Sequence, residues 1–121
     1  MLYHHQVFWP EHVDRQVRAF RTLRLSRPTP HGRKEARQDR YADLIRLPRT
    51  VYVPNTTAFE AETADDGIIT KLCVRQVYDD DRDLSLVLRP GNRGNWFIIT
   101  AWLNERSDRH STLNRAAYTQ A

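Results

Sequence analysis

The chain is poor in several residue types, and each shortage excludes something. Cysteine occurs once in 121 residues, at Cys73. A single thiol makes no internal disulfide and no cysteine-based metal cage. Its flanks read as the interior of a strand, so Cys73 is expected to be a small core residue. Glycine is also scarce, with four in the chain, and no Gly-rich phosphate loop is present. No run of 18 apolar residues exists, which excludes a transmembrane helix. The N-terminal MLYHHQVFWPEHV has neither the basic start nor the apolar centre of a secretory signal. The expectation is a cytoplasmic protein of a bacterium or a phage-infected cell, with no membrane partner. The metalloprotease, EF-hand and nucleophile-elbow signatures are missing as well. His4, His5 and His12 do not have the spacing of a helical metal pair, and no metal or other cofactor is expected.

Lysine is nearly absent too. The 19 basic residues are 17 arginines and two lysines, and the net charge is +4. Coding bias can account for the Arg:Lys ratio, but not for the positive balance, which suits an anionic partner such as nucleic acid. The charges are segregated. Residues 1–49 hold 11 basic and five acidic residues, while 50–83 hold three basic and eight acidic.

Length and composition fit one soluble domain of 1–121. From Pro10 to Leu25 the apolar residues Val13, Val17, Phe20 and Leu23 recur at helical spacing. Ser26-Arg-Pro-Thr-Pro30 breaks that pattern. A second helix is expected from about His31 to Leu47, ended by Pro48. The period then changes from 3.6 to 2. Strands are expected at Thr50–Val53, Ala58–Thr63, Ile68–Tyr78, Asp83–Arg89 and Asn95–Leu103. Asp65-Asp66-Gly67 reads as a hairpin turn, and Asp79-Asp80-Asp81-Arg82 as a solvated one. Leu84, Leu86 and Leu88 mark one buried face. The tail from Asn104 to Ala121 is polar, with room for one helical turn around Thr112–Tyr118. The expected class is α+β, with two N-terminal helices (10–47) on one face of a four- to five-stranded antiparallel sheet (50–103).

Two segments hold groups with chemical potential. In His31-Gly-Arg-Lys-Glu-Ala-Arg-Gln-Asp-Arg-Tyr41, a histidine opens a helix and basic residues follow about one turn apart. A helix N-terminus favours the neutral imidazole, which suits a general base. The same residue can equally be a capping-region histidine on a solvated helix. In the second segment, a buried strand delivers Thr100, Trp102 and Asn104 on one side, with His110 a short loop later. Polar groups at the end of a central strand sit on a rigid scaffold, and Trp102 could stack a base. The plainer alternative makes Thr100 sheet filler, Trp102 core and Asn104 turn chemistry.

The pattern H-x-x-x-E-A-R-x-D-R-Y at His31–Tyr41, with I-x-T-A-W-L-N at Ile98–Asn104, resembles the barnase/EndoU/colicin/RelE-type endoribonuclease superfamily of toxins. The ending Trp102-Leu-Asn104, Asp108, His110, Thr112-Leu113-Asn114 and Tyr118 is similar to that of small phage-encoded proteins, with Asn114 where those carry Asp. The resemblance covers residues 28–118. It implies cytoplasmic, metal-independent RNA cleavage, in which the 2′-hydroxyl attacks the adjacent phosphate and leaves a 2′,3′-cyclic phosphate. His31 and His110 would then be base and acid, in either order. Arg40, Arg37 and Lys34 would clamp phosphate, and Thr100 would donate to the phosphoryl oxygens. Lys71 and Arg75 would hold the neighbouring backbone. Trp102 and Tyr41 would stack bases, with Asn104 beside them. The partner would be RNA, free or ribosome-associated. The rival expectation is a non-catalytic phage protein that binds a host protein or RNA to shut off a host function. A neutralising partner protein is compatible with either.

Overall fold

The computed structural model describes residues 1–4, 9–26 and 45–107. Its core is a seven-stranded mixed sheet in the order β1-β4-β5-β6-β7-β2-β3. The strands are β1 (Leu2–His4), β2 (Thr22–Ser26), β3 (Thr50–Tyr52), β4 (Thr57–Thr63), β5 (Ile69–Val77), β6 (Arg82–Pro90) and β7 (Asn95–Glu105). Among the described residues there is one α-helix, α1 (Glu11–Ala19). No helix among them is long and apolar enough to cross a membrane.

This corrects the expected two helices on a four- to five-stranded antiparallel sheet. The first helix stops at Ala19, because Phe20 takes extended backbone (φ −72°, ψ 118°) and edges onto Trp96, with ring centres 5.1 Å apart. Phe20 and Leu23 continue the helical spacing by coincidence. Thr22–Ser26 is a strand, parallel to β7 and antiparallel to β3. Leu23 and Leu25 turn toward the core while Thr22, Arg24 and Ser26 alternate with them, a period of two inside a stretch that also satisfied 3.6. Residues 45–48 are not helical either, and the remainder of the expected second helix lies outside the described residues. The β1 strand was not expected. It pairs with β4 on an outer edge.

The central meander β4–β7 is antiparallel, as adjacent strands joined by short turns usually are. Gly67 at the β4–β5 turn has φ +84°, a conformation that costs glycine little. Gln16 ties α1 to this turn: its side-chain amide donates to the Gly67 carbonyl (2.8 Å) and its oxygen accepts from the Ile69 N–H (2.9 Å). One sheet face carries the core. Val13 and Val17 from α1 pack with Leu23, Val51, Leu72, Val74, Leu84, Leu86, Leu88, Ile98, Ala101 and Leu103. Burying such side chains contributes about 1.5–3 kcal/mol each. The core uses every second residue of β5 to β7, which leaves the alternate residues for the other face.

Candidate nucleic-acid interface

The face away from the core is built by the alternation of the strands. On β5 it presents Lys71, Cys73 and Arg75, and on β6 Asp83, Ser85, Val87 and Arg89. On β7 it presents Asn95, Phe97, Thr100, Trp102 and Asn104. Ile99 falls at a register shift, where Val87 pairs with Thr100 and Leu88 with Ile98. Ser85 lies opposite Trp102, Asp83 opposite Asn104, and Arg75 opposite Ser85. Thr100, Trp102 and Asn104 therefore share one side, in the arrangement their spacing suggests. His31, Lys34, Arg37, Arg40, Tyr41 and His110 lie outside the described residues, as does the separation of the two imidazoles.

The wide end of this face is closed by its own polar pairs. Arg75 is buried. Its Nε donates to Asp83 (2.9 Å) and its terminal nitrogen to the Glu105 carbonyl (2.9 Å). Arg106 reaches the other oxygen of Asp83 (3.1 Å) and the carbonyls of Asp79, Asp80 and Arg82. Arg82 bonds Asp79 at 2.8 Å and holds its carboxyl below the usual value. Ser85 donates to Asn104 at 2.6 Å, both buried. Lys71 stands 3.6 Å from Glu62. Arg75 is thus committed to the sheet, and Lys71 has an acidic neighbour. Burial pushes the Cys73 thiol far up, with the Glu60 carboxylate adding to it, so Cys73 is protonated and inert. Trp102 is half-buried, and its indole N–H meets no partner among the described residues.

The β6–β7–β2–β3 end differs in its charges. Arg89 lies 4.7 Å above the Phe97 ring centre. Arg21 lies 5.7 Å from the Tyr52 ring centre and donates to the Tyr52 hydroxyl (3.2 Å). Arg24 stands in register with Asn95 on one side and Thr50 on the other. Arg49 precedes β3, and Arg93 sits in the β6–β7 turn. All five arginines are exposed. Among the described residues, carboxylates within 4 Å belong instead to Arg15, Arg18, Lys71, Arg75, Arg82 and Arg106. Among the described residues, the cations of α1, β5 and the β5–β6 turn have carboxylate neighbours, whereas those along β2, β3 and the β6–β7 turn do not; exposed Arg46, whose N–H donates to the Tyr78 hydroxyl, has none either.

This second cluster was missed by motif and spacing, but it has a sequence signal. The stretches 15–34, 44–59 and 84–104 contain no Asp or Glu. They supply β2, β3 and almost all of β6 and β7. Folding brings three acid-free stretches together, which no local pattern reveals. Compared with known proteins, the chain matches no family model, no curated protein and no solved structure.

Proposed function

We propose that this protein binds single-stranded RNA across the arginine- and aromatic-rich end of its sheet. One observation carries the reading: Arg21, Arg24, Arg49, Arg89 and Arg93 are exposed with no carboxylate pairing among the described residues, and two of them stack on Tyr52 and Phe97. Single strands are held by cations that follow the backbone and by aromatic planes on which bases stack, the latter contributing about 1–3 kcal/mol per base. Phe97 and Tyr52 offer the planes, and the arginines the cations. Guanidinium groups also stack on bases themselves. A face whose cations were already paired would lose most of this attraction, as the β4–β5 side does.

Metal-independent cleavage is the catalytic form of the same reading. It would use His31 and His110 as base and acid on RNA delivered by this face, with Thr100 as a donor. The support for that form is the resemblance of residues 28–118 to the endoribonuclease toxins. The expected order of two helices before the sheet is not the order of this fold, because β2 follows α1, so binding is the stronger statement. The test is incubation of purified protein with end-labelled single-stranded RNA in EDTA, with binding followed by mobility shift and the ends read on a denaturing gel. A shifted band with intact RNA supports binding. Fragments ending in 2′,3′-cyclic phosphate extend it to cleavage. Neither a shift nor fragments would leave a host-protein target as the better account.

A further inference from the structure

An open cleft of about 490 Å³ lies at the join of β2, β3 and the β6–β7 turn, lined by Arg24, Leu25, Ser26, Arg49, Thr50, Arg93 and Asn95. Arg24, Arg49 and Arg93 all line it, and no acidic side chain does so among the described residues. Such a concentration of like charge repels itself when empty and gains when an anion enters. The hydroxyl of Thr50 and the amide of Asn95 add neutral polar groups to its wall.

The cleft has a fixed frame. Asn95 donates from its side-chain nitrogen to the Ser26 hydroxyl at 2.6 Å, joining β7 to β2. The Leu25 N–H donates to the Arg49 carbonyl at 2.8 Å, which carries the β2–β3 ladder one step further and holds Arg49 beside β2. The turn that carries Arg93 is closed by the Gly91 N–H on the Asn95 carbonyl, at 2.7 Å. It lies so close that a Cβ at Gly91 would come within 2.5 Å of Asn95 Oδ1 and 2.7 Å of Phe97 Cε2. Gly94 reverses the chain at φ +74°. The backbone therefore sets where Arg24, Arg49 and Arg93 begin, and Phe97 is in register with Ser26 of the cleft wall and lies under Arg89.

The geometry points to a phosphate-binding site: the cleft takes one phosphate group of the strand, held by Arg24, Arg49 and Arg93, while the neighbouring base meets Phe97. Guanidinium forks match phosphate oxygens two at a time, which a patch of lysines would not do. This inference rests on the RNA-binding reading for the source of the phosphate, but the chemistry of the cleft is its own.

The experiment is an NMR titration that follows the arginine Nε–Hε resonances, assigned with Arg24→Gln, Arg49→Gln and Arg93→Gln. The probes are inorganic pyrophosphate and a single-stranded oligouridine. Thermal melting verifies that the variants are folded. The expected result is that both probes shift the Arg24, Arg49 and Arg93 signals, and that pyrophosphate competes with the oligonucleotide. Each substitution should also lower the salt dependence of oligonucleotide binding by roughly 0.7 log unit per log unit of salt, the single-strand value for one lost contact. If the oligonucleotide binds while these three signals stay still, the cleft is not the phosphate site and the RNA reading survives. If pyrophosphate shifts them and the oligonucleotide does not bind, the phosphate site stands and the RNA reading falls. If neither probe moves them, the inference is wrong.

Discussion

Arg75 shows how far one residue's surroundings can depart from its sequence context. By alternation it belongs with Lys71 on one strand face, and both do lie there. Yet Arg75 is 7% exposed and bonded to Asp83 and Glu105. Its role is to lock β5 to β6 and β7. Removing one partner of a buried ion pair leaves a buried charge without its partner, which typically costs about 3–5 kcal/mol. Asp83 keeps Arg106 as a second partner, so Arg75→Ala should destabilise by about 3 kcal/mol, read by urea denaturation. A loss below about 0.5 kcal/mol would mean the pair is an ornament of the surface. Cys73 gives a second prediction. Its folded thiol is held above the ordinary value of 9.0, so it favours the neutral form. The linked stability is fully present below pH 9 and is lost as pH rises past 9, where the unfolded thiol ionises and the folded one does not. Thiol reagent at pH 8 should therefore label the protein only after denaturant is added. Rapid labelling of the native protein would contradict the burial.

At the level of elements, what could be read depended on how many periods a stretch satisfied. Leu84, Leu86 and Leu88 recur at every second position and fit only a strand, and β6 lies where that pattern puts it. The acidic turns around Gly67 and Asp80 delimit β5 and were equally legible. Thr22–Ser26 was not, because Phe20 and Leu23 extend the stripe of Val13 and Val17 while Leu23 and Leu25 also alternate. Tertiary pairing decided between them: β2 gains ladders with both β3 and β7, which a longer helix would forgo. The β6–β7 turn carries the element-scale prediction. Gly91→Ala places a methyl against the Asn95 and Phe97 side chains, and either they or the turn must shift. Because charge is unchanged, RNA binding should weaken with the salt slope preserved, whereas Arg93→Gln should lower the slope. Gly91→Ala binding like wild type would show that the turn's position does not matter to the ligand.

For the molecule as a whole, the separation of charge was partly visible beforehand. The count of basic over acidic residues in 1–49 located positive potential in the N-terminal part, and Arg21, Arg24 and Arg49 come from it. Arg89 and Arg93 come from elsewhere in the chain, and only the parallel pairing of β2 with β7 brings the two groups together. A parallel neighbour distant in sequence leaves no local trace, which is why this end of the sheet was invisible to motif reading. The candidate histidines were chosen from short patterns at His31 and His110, and the described sheet neither joins nor separates them. The described face brings Thr100, Trp102 and Asn104 to one side, close to a network that is structural in character.

The claim that RNA is held at the β6–β7–β2–β3 end makes a comparison of two sets of arginine variants decisive. Arg24→Gln, Arg49→Gln and Arg93→Gln together remove three cations with no carboxylate partner among the described residues. Arg15→Gln and Arg18→Gln together remove helix cations already paired with Glu11 and Asp14. Exposed substitutions of either kind should shift stability by about 0.5 kcal/mol or less each. The measurement is fluorescence anisotropy of labelled single-stranded RNA in EDTA from low to moderate salt. The account predicts that the first set lowers the slope of log affinity against log salt by roughly 2, at about 0.7 per contact, and that the second set leaves the slope close to wild type. Equal slopes for both sets would contradict it, as would wild-type protein that shows no salt-dependent RNA binding.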